Sequence, residues 1–151
     1  MATHVKSIEE LKSLVGSHLG YSDYRVVTQE QVDLFADATG DHQWIHVDPE
    51  RAKSGPFGQT IAHGYLTLSL IPVLLGGVMH VENVKMGVNY GTNKVRFTNP
   101  VPVGAEIRAG ATLASIEDVT GGVQVALDVI VEVKGAPKPS CVAQVVFRYY
   151  F

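Results

Sequence analysis

The chain has 151 residues, 46% of them hydrophobic and 18% charged, with a formal net charge of −3 and a single cysteine. That size and balance predict one globular domain over 1–151 rather than a disordered or fibrous chain. The mild negative charge offers no general attraction to nucleic acid or an anionic membrane, so neither is expected as a partner, and the lone Cys141 excludes an internal disulfide or a two-cysteine metal knuckle.

The opening Met-Ala-Thr-His-Val-Lys lacks the basic and apolar stretches of a secretory signal, which with the unpaired cysteine predicts a cytoplasmic protein. Ser7-Ile-Glu-Glu10 has the form of a helix-capping box, with Ile8, Leu11, Leu14 and Val15 on one face and Gly16 as the stop. Thr28-Gln-Glu-Gln31 repeats the signal. Val32, Phe35, Ala36 and Thr39 have helical spacing, and Gly40 stands where a left-handed C-terminal cap is expected, so Asp41 begins a loop directly after a helix. Asp48-Pro49 predicts a single helical turn through Ala52, ahead of the breaker-rich Ser54-Gly-Pro-Phe-Gly58. Such a long irregular connection orders backbone without burying much, which points to function.

Ile61 to Val81 carries no Asp, Glu, Lys or Arg and approaches the roughly 20 residues of a membrane span. Ser69, Pro72 and Gly76-Gly77 interrupt it, leaving about three strongly apolar turns, which suits a helix inside a soluble domain. From Gly64 to Leu75 the apolar residues lie all round the wheel, predicting an enclosed central helix with a kink at Pro72. After Asn83 the pattern turns to β-rich runs: Lys85 to Tyr90, Asn93 to Thr98, Ala105 to Ile116, Val123 to Val133 and Cys141 to Tyr150. Cys141 reads as a small buried strand residue. Antiparallel strands wrapped on one enclosed helix give an α+β fold.

Four potentially catalytic side chains fall close together: Asp41, His42 and His46 in the loop, and His63 at the mouth of the central helix. An apposed carboxylate and imidazole can hold one water, polarise it and return a proton, the chemistry of hydrating a polarised alkene, with no metal or cofactor required. Gly64 adds an unpaired backbone N–H at a helix start, suited to the oxygen of a thioester carbonyl.

The run Phe35-Ala-Asp-Ala-Thr-Gly-Asp-His-Gln-Trp-Ile-His-Val-Asp-Pro49, with Gly55-Pro-Phe-Gly58, Ile61-Ala-His-Gly64 and Val95-Arg-Phe-Thr-Asn-Pro-Val-Pro-Val-Gly104, resembles the MaoC-like or R-specific enoyl-CoA hydratase family, including its NodN-like members. The likeness covers roughly residues 20 to 150. It implies a hot-dog fold, a homodimer, an acyl-CoA or acyl-carrier-protein thioester as substrate, and syn addition of water to a trans-2-enoyl-CoA giving an R-3-hydroxyacyl-CoA. Asp41 and His46 match the family's dyad, and the Gly64 amide would hold the thioester carbonyl. His63 completes the His-Gly pair. Asn89, Tyr90, Gly91, Asn93, Lys94 and Arg96 form a polar, partly basic strand segment that can meet a pantetheine chain or CoA phosphates across a dimer interface. The sequence departs from some hydratases of this type at Pro72, where they carry a small hydroxyl residue.

Three other readings compete: a metal hydrolase, from the i, i+4 spacing of His42 and His46; a hot-dog acyl-CoA thioesterase; and a non-catalytic acyl-thioester binding protein.

Overall fold

The capping residues act as the sequence dictates. In the computed structural model, which describes residues 1–151, a short β1 (Thr3–Val5) leads into α1 (Ile8–Ser13), whose N-cap Ser7 accepts a hydrogen bond from the Glu10 amide at 3.1 Å. After β2 (His18–Tyr21) and β3 (Arg25–Val26) comes α2 (Gln29–Thr39), where Thr28 caps the Gln31 amide in the same way. Two four-residue turns follow, α3 (Trp44–Val47) and α4 (Pro49–Ala52). His46 therefore sits on a helical turn rather than in an open loop, a correction that four residues are too few to reveal by periodicity. The Asp48 amide closes that turn onto the Trp44 carbonyl at 3.1 Å.

The apolar run becomes α5 (Gly64–Leu75), which continues through Pro72. Beyond it lie β4 (Met79–Val81), β5 (Met86–Arg96), β6 (Glu106–Val119), β7 (Gly122–Val133) and β8 (Cys141–Tyr150). The two strands expected across residues 85–98 are one bulged strand, whose register shifts at Asn89/Gly91 and Thr92/Lys94 absorb the glycine instead of ending the ladder. β1 to β4 escape sequence reading because each has at most four residues.

The main sheet has the order β2-β6-β7-β8-β5, with β3 also on β6, and every pairing in it is antiparallel. β1 and β4 form a separate parallel pair. Along β7, Val123, Val125, Leu127, Val129 and Val131 are all buried, the alternation of a sheet with one face on a core. They share a single apolar cluster with Leu66, Leu70, Ile71, Leu74 and Leu75 of α5. This is the expected hot-dog arrangement, an antiparallel sheet wrapped on a central helix. Cys141 is fully buried, and burial pushes its thiol up to about 11, so it is an inert core residue. No helix is long and apolar enough to cross a membrane.

Candidate active site

Asp41 owes its position to the end of α2. Gly40 takes φ 82°, a left-handed conformation that glycine adopts without steric cost, and its N–H donates to the Ala36 carbonyl at 2.8 Å. The chain turns sharply there, and the Gln43 N–H then donates to Asp41 Oδ1 at 3.4 Å, holding the exposed carboxylate.

The α3 turn drives His46 inward until it is only 7% exposed. Its Nδ1 lies 2.7 Å from the Ile61 carbonyl. A carbonyl only accepts, so Nδ1 carries the proton and Nε2 is left as the acceptor of the neutral ring. Ile61 is itself fixed, because its amide donates to the Ile45 carbonyl at 3.0 Å and the next amide, of Ala62, donates to Val101 at 2.8 Å. Burial, reinforced by neighbouring His63, holds His46 below the ordinary imidazole pKa, which keeps it neutral.

His63 is 2% exposed and stacks on His46, with ring centroids 3.9 Å apart and planes 24° from parallel. Its Nε2 donates to the Asp41 backbone carbonyl at 3.0 Å and stands 4.0 Å from Asp41 Oδ2. Its buried Nδ1 has no partner within the protein. Three of the four clustered side chains therefore converge. The fourth, His42, turns outward to pair with Asp37 at 2.9 Å, and that hydrogen bond raises its pKa. The two-histidine metal pair imagined at 42 and 46 does not form.

The ligating atoms of Asp41, His46 and His63 all lie within 4.8 Å of one another. A water making two hydrogen bonds of about 2.8 Å at a tetrahedral angle spans about 4.6 Å, so the group suits a shared water. Zinc bonds of about 2.0 to 2.2 Å need donors about 3.4 Å apart, and the 4.0 Å between His63 and Asp41 would have to contract.

At the start of α5 the Leu66 and Thr67 amides both return to the His63 carbonyl, while the Gly64 N–H has no acceptor within the protein. Glycine allows the close approach of the Phe97 ring, because a Cβ there would lie 2.6 Å from it and force the ring to shift. His46 and Gly64 line one cavity of ≈ 330 Å³. At the other end of the helix, Pro72, Leu75 and Gly76 line an apolar cavity of ≈ 220 Å³ with Leu19, Phe147 and Tyr149.

Asn89, Tyr90, Gly91, Asn93, Lys94 and Arg96 all lie on β5, the exposed edge strand, and none of them lines the cavity of His46 and Gly64. Asn89, Tyr90 and Gly91 instead line a third cavity, of ≈ 320 Å³, against Leu68, Ile71 and Pro72 of α5. Asn93 bonds Gln144, and Arg96 donates to the Val95 carbonyl.

Gln29 escaped sequence reading. It donates from Nε2 to the His46 carbonyl at 2.8 Å and to Asp33 at 2.9 Å, and accepts from Thr60 at 2.7 Å, tying α2 to the segments that carry His46 and Ile61. A glutamine in a helix's first turn looks in sequence like any capping-region residue.

Residues 10–134 match the MaoC-like domain family. The chain belongs to that family. It is 54% identical over 145 residues to the 3-hydroxyacyl-thioester dehydratase Z of Mycobacterium tuberculosis (strain H37Rv), covering 95% of this chain and 96% of that protein. It is 41% identical over 143 residues to Nodulation protein N of Rhizobium leguminosarum bv. viciae, covering 93% of this chain and 89% of the relative. In structure, this MaoC-like chain shares its fold with the (R)-hydratase from A. caviae involved in PHA biosynthesis: TM-score 0.68 at 23% identity, covering 88% of this chain and 94% of the other.

Proposed function

We propose that this MaoC-like protein is an R-specific enoyl-CoA hydratase, equally a 3-hydroxyacyl-CoA dehydratase in reverse, using Asp41 and His46 without a metal or other cofactor. The coarse class is supported by the mycobacterial relative, described as a dehydratase of 3-hydroxyacyl thioesters. The observation that carries the finer reading is the 2.7 Å bond from His46 Nδ1 to Ile61, which leaves Nε2 as the free, basic nitrogen of the ring.

Asp41 orients the water by accepting one hydrogen, and His46 Nε2 removes the other as oxygen bonds to C3. The C2=C3 electron pair moves toward the thioester oxygen, where the Gly64 N–H stabilises the enolate by about 3 to 4 kcal/mol if it acts as other oxyanion donors do. The proton on Nε2 then goes to C2, completing a balanced addition of one water. Because one imidazole takes and returns the proton, addition is syn.

The acyl chain would follow α5 toward the cavities at Pro72, whose apolar walls suit a hydrocarbon tail. β5 is an 11-residue edge strand, exposed almost throughout and carrying Met86, Val88 and Tyr90 outward. Its unpaired backbone is a template for a second copy of the chain, supporting a homodimer with the CoA arm along the residues of β5. A cytoplasmic location belongs to the same reading.

The test is to follow enoyl-thioester absorbance with crotonyl-CoA and identify the product. R-3-hydroxybutyryl-CoA supports the reading. Free CoA would make this a thioesterase, and binding without turnover would make it an acyl-thioester carrier.

A further inference from the structure

The cavity shared by His46 and Gly64 holds a polar group that the dyad does not use. Ser140, immediately before β8, is 2% exposed, and its Oγ has no hydrogen-bond partner within the protein. Its backbone is fully engaged: the Ser140 amide donates to Val131 at 2.8 Å, and its carbonyl accepts from Thr98 at 3.1 Å. The backbone is thus locked in place and the residue lines the same ≈ 330 Å³ cavity, while the hydroxyl is covered but uncommitted, so that a turn about the Cα–Cβ bond would bring Oγ to a ligand there. An unpaired buried hydroxyl is destabilising, and the great majority in native proteins find a partner. In a cavity that opens past the exposed rings of Phe57 and Phe97, the partner can come from outside.

The rest of the lining says what that partner is. Asn99, Thr67 and Thr98 add uncharged polar groups, and no Lys, Arg, Asp or Glu takes part. Such walls offer nothing to neutralise a phosphate and everything needed by a neutral group with hydrogen-bonding oxygens. We infer that Ser140 is a substrate-contacting residue that hydrogen-bonds the uncharged thioester-bearing segment of the substrate in the cavity of His46 and Gly64. This rests on the proposed function for the identity of the thioester. A hydroxyl that is idle in the free protein and engaged in the complex contributes to binding affinity.

The experiment measures calorimetric binding of butyryl-CoA, a saturated thioester that cannot be hydrated, to the wild type, Ser140→Ala and Ser140→Cys, alongside kcat and KM with crotonyl-CoA and thermal midpoints. Losing one neutral hydrogen bond should raise the butyryl-CoA Kd and the crotonyl-CoA KM about 5- to 10-fold in both variants, leaving kcat within about twofold. The midpoint of Ser140→Ala should equal or exceed that of the wild type. Unchanged Kd in the variants overturns the inference, as does a lowered midpoint with unchanged Kd, which would mark a purely structural hydroxyl. A loss in Ser140→Ala that the volume-preserving Ser140→Cys does not share overturns it too, since the void would then be the cause. A wild type that does not bind butyryl-CoA removes the ligand and the inference together. Failure of crotonyl-CoA turnover with the Kd difference intact would sink the hydratase reading alone.

Discussion

The two ends of α5 belong to the same helix and face opposite surroundings. Its N-terminal end presents an unpaired amide at Gly64, two stacked histidines and a carboxylate within 4.8 Å. Its C-terminal end, from Pro72 to Gly76, faces an apolar cavity with no titratable side chain on its walls except Tyr149, whose hydroxyl pKa burial raises. Under the proposed function, one helix separates chemistry from fit. Changes at the first end should lower the rate for every substrate, and changes at the second should alter which substrate is preferred.

The sharpest way to break that contrast is at the dyad. Asp41→Asn and His46→Gln should each lower kcat by about 10³-fold, equally for crotonyl-CoA and a trans-2-octenoyl-CoA, with secondary structure by circular dichroism unchanged. A loss confined to one chain length would dissolve the division. Next in size is Gly64→Ala, whose methyl meets the Phe97 ring at 2.6 Å. It should lower kcat about 10²-fold by displacing the amide, and adding Phe97→Ala should recover part of the loss in the same assay. At the far end, Leu75→Trp should lower kcat/KM for octenoyl-CoA at least about 10-fold more than for crotonyl-CoA, because it fills the cavity without touching His46.

Gln29→Leu tests what supports the chemical end. It leaves the Thr60 hydroxyl and the His46 carbonyl without their partner, which should cost about 1 to 3 kcal/mol, or about 3 to 10 °C in the thermal midpoint, with kcat several-fold lower. The smallest effect is the pH dependence of stability. His46 titrates lower folded than unfolded, so below the ordinary imidazole value near 6.5 the unfolded chain binds the extra proton and stability falls with pH until the folded value is reached. The midpoint of His46→Gln should decline less over that window than that of the wild type, as measured by thermal melts from pH 7 to 5.

The chemical end was also the more legible one. Gly40 announced the left-handed cap, Asp41 followed it, and His63-Gly64 opened an apolar helix, because each is set by local backbone requirements that a few residues carry. The inward turn of His46 was not legible, since it depends on Ile61 arriving from 15 residues away. Nor was the outward turn of His42, which follows from Asp37 on the previous helix. Gln29 and Ser140 were missed for the same reason: one joins three separate segments, and the other matters only because a strand start closes over a cavity. The long strands β6, β7 and β8 read clearly from alternation and glycine punctuation, whereas β5 read as two strands because its bulges interrupt the period. The sheet's shortest strands did not read at all, since two to four residues hold no period.

The most direct test of the central claim, that Asp41 and His46 add the hydroxyl and the proton of water to the same face of the alkene, is hydration of crotonyl-CoA in D₂O with the product resolved by NMR and chiral analysis. The account predicts R-3-hydroxybutyryl-CoA carrying one deuterium at C2 on the same face as the new hydroxyl, with no such product from His46→Gln. Anti addition, an S product, or undiminished turnover in that variant would contradict it.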